Sequence, residues 1–235
     1  MKATKTLIAS AIVAATLSAP AMAVEGLSAN AAATSNYLWR GVTQSDDSAA
    51  VSGGIDYEHA SGFYAGTWVS TVDFGGNEVD GLDTSYEIDF YAGYGGTVGD
   101  FSYDVGYVYY AYPDDSADID LGELYGSVSY SFLTVGVAYL LNSGDDAFSD
   151  GMDDDWLYYS ADAAFEVAEG LELGLHVGYF DGDSVEDWFG DSYVDYSASL
   201  SKDGFSLMLS KTDIDDMGNL DDMKAVVSYS VDFDL

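Results

Sequence analysis

Cysteine is absent from this chain of 235 residues. That removes a disulfide framework, a thiolate nucleophile and Cys-based metal sites, so a fold of this size must be held by its own hydrogen bonding and packing. Basic residues are almost as scarce. Only 6 Lys and Arg stand against 42 Asp and Glu, a net charge of −36. Such a balance excludes nucleic acid as a partner, because binding a phosphate backbone takes Lys and Arg. Acidic polysaccharides are disfavoured for the same reason, and cations are favoured. Solubility in a salty habitat is a second, compatible use for the charge. Proline occurs only 2 times, against 26 Gly and 20 Tyr, which suits long strands joined by tight turns.

Long hydrophobic runs are also missing beyond the first two dozen residues. Lys2 and Lys5 precede the apolar run Leu7–Ala19, and Ala21-Met22-Ala23 is a small-x-small cleavage site. This is the layout of a secretory signal, with residues 1–23 removed and residues 24–235 forming one domain. A short membrane anchor is the alternative, but the run falls below the ~18 apolar residues a spanning helix needs. Loss of Lys2 and Lys5 takes the net charge from −36 to −38. A mature chain that enters a membrane must then do so as a closed barrel, since only helices and closed barrels satisfy their backbone polar groups in lipid.

What the chain does contain is a two-residue rhythm. Tyr86, Ile88, Phe90, Ala92 and Tyr94 fall on one face, and Glu87, Asp89, Tyr91 and Gly93 on the other. Period two means strand. The rhythm recurs in twelve segments, roughly 27–36, 48–60, 63–74, 84–97, 101–112, 121–131, 133–141, 156–167, 171–180, 192–201, 205–212 and 222–233. Their connectors alternate. Short ones such as Ser61-Gly62, Val98-Gly99-Asp100 and Lys202-Asp203-Gly204 carry hairpin chemistry. Long acidic ones cover 37–47, 75–83, 113–120, 142–155, 181–191 and 213–221. The expected fold is all-β: a 12-stranded antiparallel up-and-down transmembrane β-barrel with short periplasmic turns and long acidic extracellular loops. Tyr64, Tyr86, Tyr94, Phe101, Tyr159, Tyr179, Tyr229 and Phe233 are expected to form its interfacial girdles. No helix is expected. A soluble β-sandwich or periplasmic barrel is the rival architecture.

The stretch Ser35-Asn36-Tyr37-Leu38-Trp39-Arg40-Gly41-Val42-Thr43-Gln44-Ser45 is distinctive, as are Gly53-Gly54-Ile55-Asp56-Tyr57 and Gly62-Phe63-Tyr64-Ala65-Gly66-Thr67-Trp68 after it. In these residues the chain resembles the TorF porin family, most closely over 28–73. The resemblance implies an outer-membrane barrel that conducts small solutes and has no catalytic residues to transfer. The last strand carries Phe233 but ends on Leu235, a departure from the terminal aromatic residue that the barrel-assembly machinery reads in outer-membrane proteins.

Strand parity nominates the interior. With Ile88 and Phe90 facing lipid, Glu87 and Asp89 face the lumen. By the same parity so do Asp56, Glu58, Asp104, Glu123, Asp162, Glu166, Glu172, Asp195 and Lys224. Carboxylates lining a narrow aqueous pore favour cations over anions. Twelve strands lie between the ~8 whose interior is filled by side chains and the ~16–18 that leave a wide channel. Tyr91 and Tyr110, with Tyr112, Tyr125, Tyr158 and Phe180, can narrow such a passage. Arg40 is expected either to fold inward, pair with a lumen carboxylate and help form the constriction, or to make an exposed salt bridge of little worth.

The loop acids Asp146, Asp150, Asp153, Asp154 and Asp155 are weak candidates for divalent cations, including ions bridging to lipopolysaccharide. None fits an EF-hand, since Phe148 and Leu157 stand where acids are needed. His176 with Asp162 could mimic an acid–base pair, but no G-x-S-x-G elbow accompanies it. The expected function is therefore passive, cofactor-free diffusion of ions or small solutes across a bacterial outer membrane. The alternative is a closed structural barrel whose acidic loops bind divalent ions or a partner.

Overall fold

The computed structural model describes residues 24–74, 84–115, 117–148, 155–215, 217 and 220–235. The segment 1–23, read above as a signal, lies outside them, as do the loop 75–83 and Asp150, Asp153 and Asp154.

Twelve long strands close into one barrel. They are β1 (Leu27–Thr34), β4 (Ala50–Glu58), β5 (Phe63–Thr71), β6 (Tyr86–Val98), β7 (Phe101–Ala111), β8 (Leu121–Tyr130), β9 (Leu133–Ser143), β10 (Leu157–Ala168), β11 (Leu171–Asp181), β12 (Tyr193–Lys202), β13 (Phe205–Thr212) and β14 (Lys224–Asp234). Each pairs antiparallel with its neighbour in sequence. The ring shuts where β1 pairs with β14, from Ser28↔Asp234 to Thr34↔Ser228. Closure leaves no free sheet edge, so every ladder group finds a partner without water. At one end the hairpins are tight. Asp203 (φ 51°) and Gly204 (φ 82°) make one of them, the left-handed pair that two-residue hairpins favour.

The two faces of the wall differ as the alternation requires. Ile55, Phe90 and Leu207 are 51, 54 and 50 % exposed and belong to an apolar outer surface too extensive for a water-facing wall. A register shift between Gly122 and Glu123 against β9 bulges the wall near Leu141. Leu121, Glu123 and Leu140 are buried there, while Leu141 is exposed. Among the described residues no helix is long and apolar enough to cross a membrane.

Three expectations need correction. A helix does occur: α1 (Asp183–Phe189) lies in the 181–191 loop, closed by Gly190 in the left-handed conformation. It buries Ser184 and Val185 and lays Trp188 against Trp156, with ring centroids 5.5 Å apart. Tyr64 is not a girdle residue. Its hydroxyl donates to Asp104 at 2.8 Å and meets that of Tyr125 at 2.6 Å. Those partners stand on strands two and three places away, so Tyr64 points inward. Finally, the 37–47 segment is not a solvated outer loop. It contains a miniature hairpin, β2 (Leu38–Trp39) and β3 (Val42–Thr43), which folds down into the barrel.

Candidate functional site in the barrel interior

The hairpin tip is Arg40 (φ 49°) and Gly41 (φ 80°), both left-handed, as a two-residue turn of this kind requires. Only glycine suits the second position. A Cβ on Gly41 would lie 2.7 Å from Thr212 Cγ2 and 2.8 Å from Asp195 Cβ. The tip is therefore pressed against β12 and β13, while the Tyr193 hydroxyl donates to the Arg40 carbonyl at 3.0 Å.

From there the Arg40 side chain reaches β8. Its guanidinium donates to Glu123 in a buried ion pair, with the two side chains only 6 and 2 % exposed. Glu123 is held from two further directions, by Trp156 Nε1 at 2.6 Å and the Tyr110 hydroxyl at 3.0 Å. Aromatic faces enclose the cation. The guanidinium carbon lies 4.1 Å from the Trp39 ring centroid, 4.3 Å from Tyr158, 4.4 Å from Phe180 and 5.7 Å from Trp156. These distances fall within cation–π range. Nη1 has no protein partner.

The rest of the segment is fastened on other sides of the barrel. On β6, Glu87 accepts from Tyr37 at 2.8 Å and from Tyr112 at 2.6 Å. On β14, the Lys224 ammonium donates to Asp47 at 2.7 Å, and Asp47 also accepts from Asn36 at 2.7 Å. One segment thus touches β6, β8, β12, β13 and β14 and crosses the interior near the long-loop end. Beneath and around it, Trp156, Phe180, Val185, Tyr193 and Leu140 form a packed apolar cluster.

Of the residues nominated from sequence, Glu87, Glu123 and Asp195 are buried against this segment rather than open to a water column. Asp89 is also buried, and its Oδ1 has no protein partner. Asp162 and Asp195 converge on His176. The imidazole Nδ1 lies 2.6 Å from Asp162 and Nε2 lies 2.9 Å from Asp195. Nε2 also lies 2.9 Å from the Tyr158 hydroxyl. The Tyr158 hydroxyl, 3.0 Å from Asp195, joins this cluster to the aromatic box around Arg40.

Toward the tight-turn end the interior is polar. Tyr91 donates to Asp56, which also accepts from Asn30 at 3.2 Å. Asp104 takes the Tyr64 hydroxyl as described. Glu58, Glu166 and Glu172 are exposed close to the turns, and Glu166 accepts the Gly170 amide at 3.2 Å. Tyr91 and Tyr110 are therefore not neighbours in one ring. Tyr110 belongs to the Glu123 cluster and Tyr91 to the Asp56 cluster.

Among the described residues, several loop acids bond to neighbouring backbone and hydroxyl groups. Asp146 accepts the Asp118 amide at 2.9 Å and Asp155 the Asp183 amide at 3.0 Å. Asp114 accepts from the Ser85 hydroxyl, from its amide at 3.0 Å and from Thr84 at 2.9 Å. Slight burial raises the Asp114 pKa, but these hydrogen bonds outweigh it and hold the carboxyl below its usual range. No group of three or more His, Asp or Glu able to hold a metal occurs among the described residues.

Sequence reading missed the hairpin, the helix and the role of Trp39, Tyr37 and Asp47. A signal was present for the first. An x-Gly pair, Arg40-Gly41, stands between Leu-Trp and Val-Thr, a short hairpin pattern.

A family model describing bacterial proteins of unknown function, Gcw_chp, matches residues 18–229. The chain belongs to that family. The family carries no assigned solute, and the TorF likeness stays a resemblance in the motifs quoted. No curated protein sequence matches this chain. Among solved structures, this family member is similar to the KdgM porin, at 12 % identity and TM-score 0.55, over 88 % of this chain and 99 % of that one. It is also similar to the KdgM porin in complex with disordered oligogalacturonate, at 11 % identity and TM-score 0.53, over 89 % and 98 %. At such identities what is shared is the fold: a porin-like closed barrel of twelve strands.

Proposed function

We propose that this barrel sits in a bacterial outer membrane, delivered by its N-terminal signal, and passively conducts small solutes with a preference for cations. The observation that carries this reading is the sidedness of the wall. An apolar outer face encloses an interior rich in carboxylates, with Arg40, Lys224 and His176 the basic side chains found there among the described residues. Asp56, Glu58, Asp104, Asp162, Glu166 and Glu172 would line the path, and the buried Glu87, Asp89, Glu123 and Asp195 would add to its field. Fixed negative charge at close quarters lowers the energy of a cation and raises that of an anion. The porin-like fold and the TorF resemblance support the channel reading. The solute is not expected to be an oligogalacturonate. That ligand, found with the KdgM porin, is a polyanion, and this interior would repel it. On this reading the hairpin segment narrows the path at the long-loop end, and the Arg40–Glu123 pair sits in its wall. No enzyme activity is proposed, since both nitrogens of His176 are taken by carboxylates and none is free to activate a nucleophile.

The filled loop end favours a second reading, a closed barrel whose interior serves only to hold it together. Refolded protein in planar bilayers separates the two. Discrete conductance steps support the channel. Silence from correctly folded protein, in wild type and in Arg40→Ala alike, supports the closed barrel.

A further inference from the structure

The geometry around Arg40 points to a binding site for a guanidinium-bearing solute, occupied in this structure by the protein's own arginine. This rests on the cation-conducting reading above. The box has what a guanidinium receptor needs. Glu123 supplies a carboxylate that Trp156 and Tyr110 hold in place without neutralising it. The faces of Tyr158, Phe180 and Trp156 close around the cation. All five of these groups come from the barrel wall or its immediate margin; only the Trp39 ring, 4.1 Å from the guanidinium carbon, comes from the hairpin. An aromatic enclosure with a carboxylate is how proteins recognise organic cations.

Besides tying the hairpin to β8, Arg40 fills the box as a tethered ligand would. Its Nη1 is buried and unpartnered, so the fork is not fully used, as expected when a ligand is delivered on a strained two-residue turn. The box adjoins the polar interior. Its Tyr158 wall bonds to Asp195 and His176, and the Asp162 side chain beyond them is 34 % exposed. A guanidinium solute arriving there competes with Arg40 for Glu123. Displacing Arg40 frees the hairpin tip that crosses the barrel. The ligand that is recognised is thus the one that opens its own path.

The test is calorimetric titration of guanidinium chloride, with sodium chloride as reference, into the refolded barrel in micelles. Removing the tethered competitor by Arg40→Ala is expected to tighten saturable guanidinium binding about tenfold or more over wild type, since a tethered group acts at high effective concentration. Adding Glu123→Gln to Arg40→Ala is expected to abolish it while leaving the surface acids unchanged. Equal binding by Arg40→Ala and the double variant would overturn the proposal. Should Arg40→Ala refold poorly, refolding is repeated with guanidinium or sodium at matched low concentration. Recovery with guanidinium alone supports the site, and equal yields in both overturn it. Saturable, Glu123-dependent binding by a barrel silent in bilayers would keep the site and sink the channel. Conductance without such binding would do the reverse.

Discussion

Arg40→Ala tests the interior packing most sharply. The substitution deletes the cation in contact with Glu123, whose side chain is only 2 % exposed. Two neutral donors remain, Trp156 Nε1 at 2.6 Å and Tyr110 at 3.0 Å, so the carboxylate stays hydrogen-bonded but loses its contacting countercharge. Breaking a buried pair in this way costs about 3–5 kcal/mol. The remaining donors argue for the lower half of that range, and the lost ring contacts, worth about 0.5–2 kcal/mol, push it back up. We expect a loss of about 4 kcal/mol. Glu123→Gln in the Arg40→Ala background should recover part of it, because the uncompensated charge is gone while an acceptor for Trp156 remains. Urea unfolding in lipid vesicles, followed by tryptophan fluorescence, measures both. A loss below about 1 kcal/mol, the range of a solvent-exposed pair, would refute the buried pair. So would strict additivity of the two substitutions, within about 0.5 kcal/mol.

Other substitutions probe the remaining parts. Gly41→Ala should be worse than its size suggests: the left-handed backbone costs about 1–2 kcal/mol, and the new methyl meets Thr212 and Asp195; the same unfolding assay would detect it. Leu207→Arg, on the outward face of β13, should cost about 2–4 kcal/mol in vesicles if it lies near the bilayer midplane. An unchanged midpoint would place that face away from lipid. Asp114, whose pKa is depressed by its bonds to Ser85 and Thr84, stabilises the contact between its loop and the start of β6 above the ordinary carboxylate pKa. That contribution is lost as pH falls through the depressed folded value, and amide exchange at Ser85 should accelerate in that acid window and not above it.

Sequence carried most of the wall because a wall has a strict period. Each strand shows its lipid face and its interior face in alternate residues, and positive-φ turns such as Asp203-Gly204 mark one end. The departures are local. Tyr64 has the amphipathic chemistry of a girdle residue and sits near a strand end, but its parity on β5 sends it inward to Asp104. Helix α1 spans only Asp183–Phe189, under two turns, too short for a 3.6-residue period to show. Its signs were the first-turn acids Asp183 and Glu186 and the following Gly190. Candidate acids were legible by parity, but their fate was not. Whether Glu123 meets water or Arg40 depends on a loop reaching across 83 positions of sequence, and no local pattern encodes such a contact. The same holds for Lys224 and Asp47, which lie 177 positions apart.

The reversal potential of single channels under a potassium chloride gradient is the most direct test of the account. A carboxylate-rich interior predicts that potassium carries the current, so the potential takes the sign of the cation gradient, and moves further that way when Arg40→Ala removes a cation from the interior. An anion-signed potential from the folded barrel would contradict it.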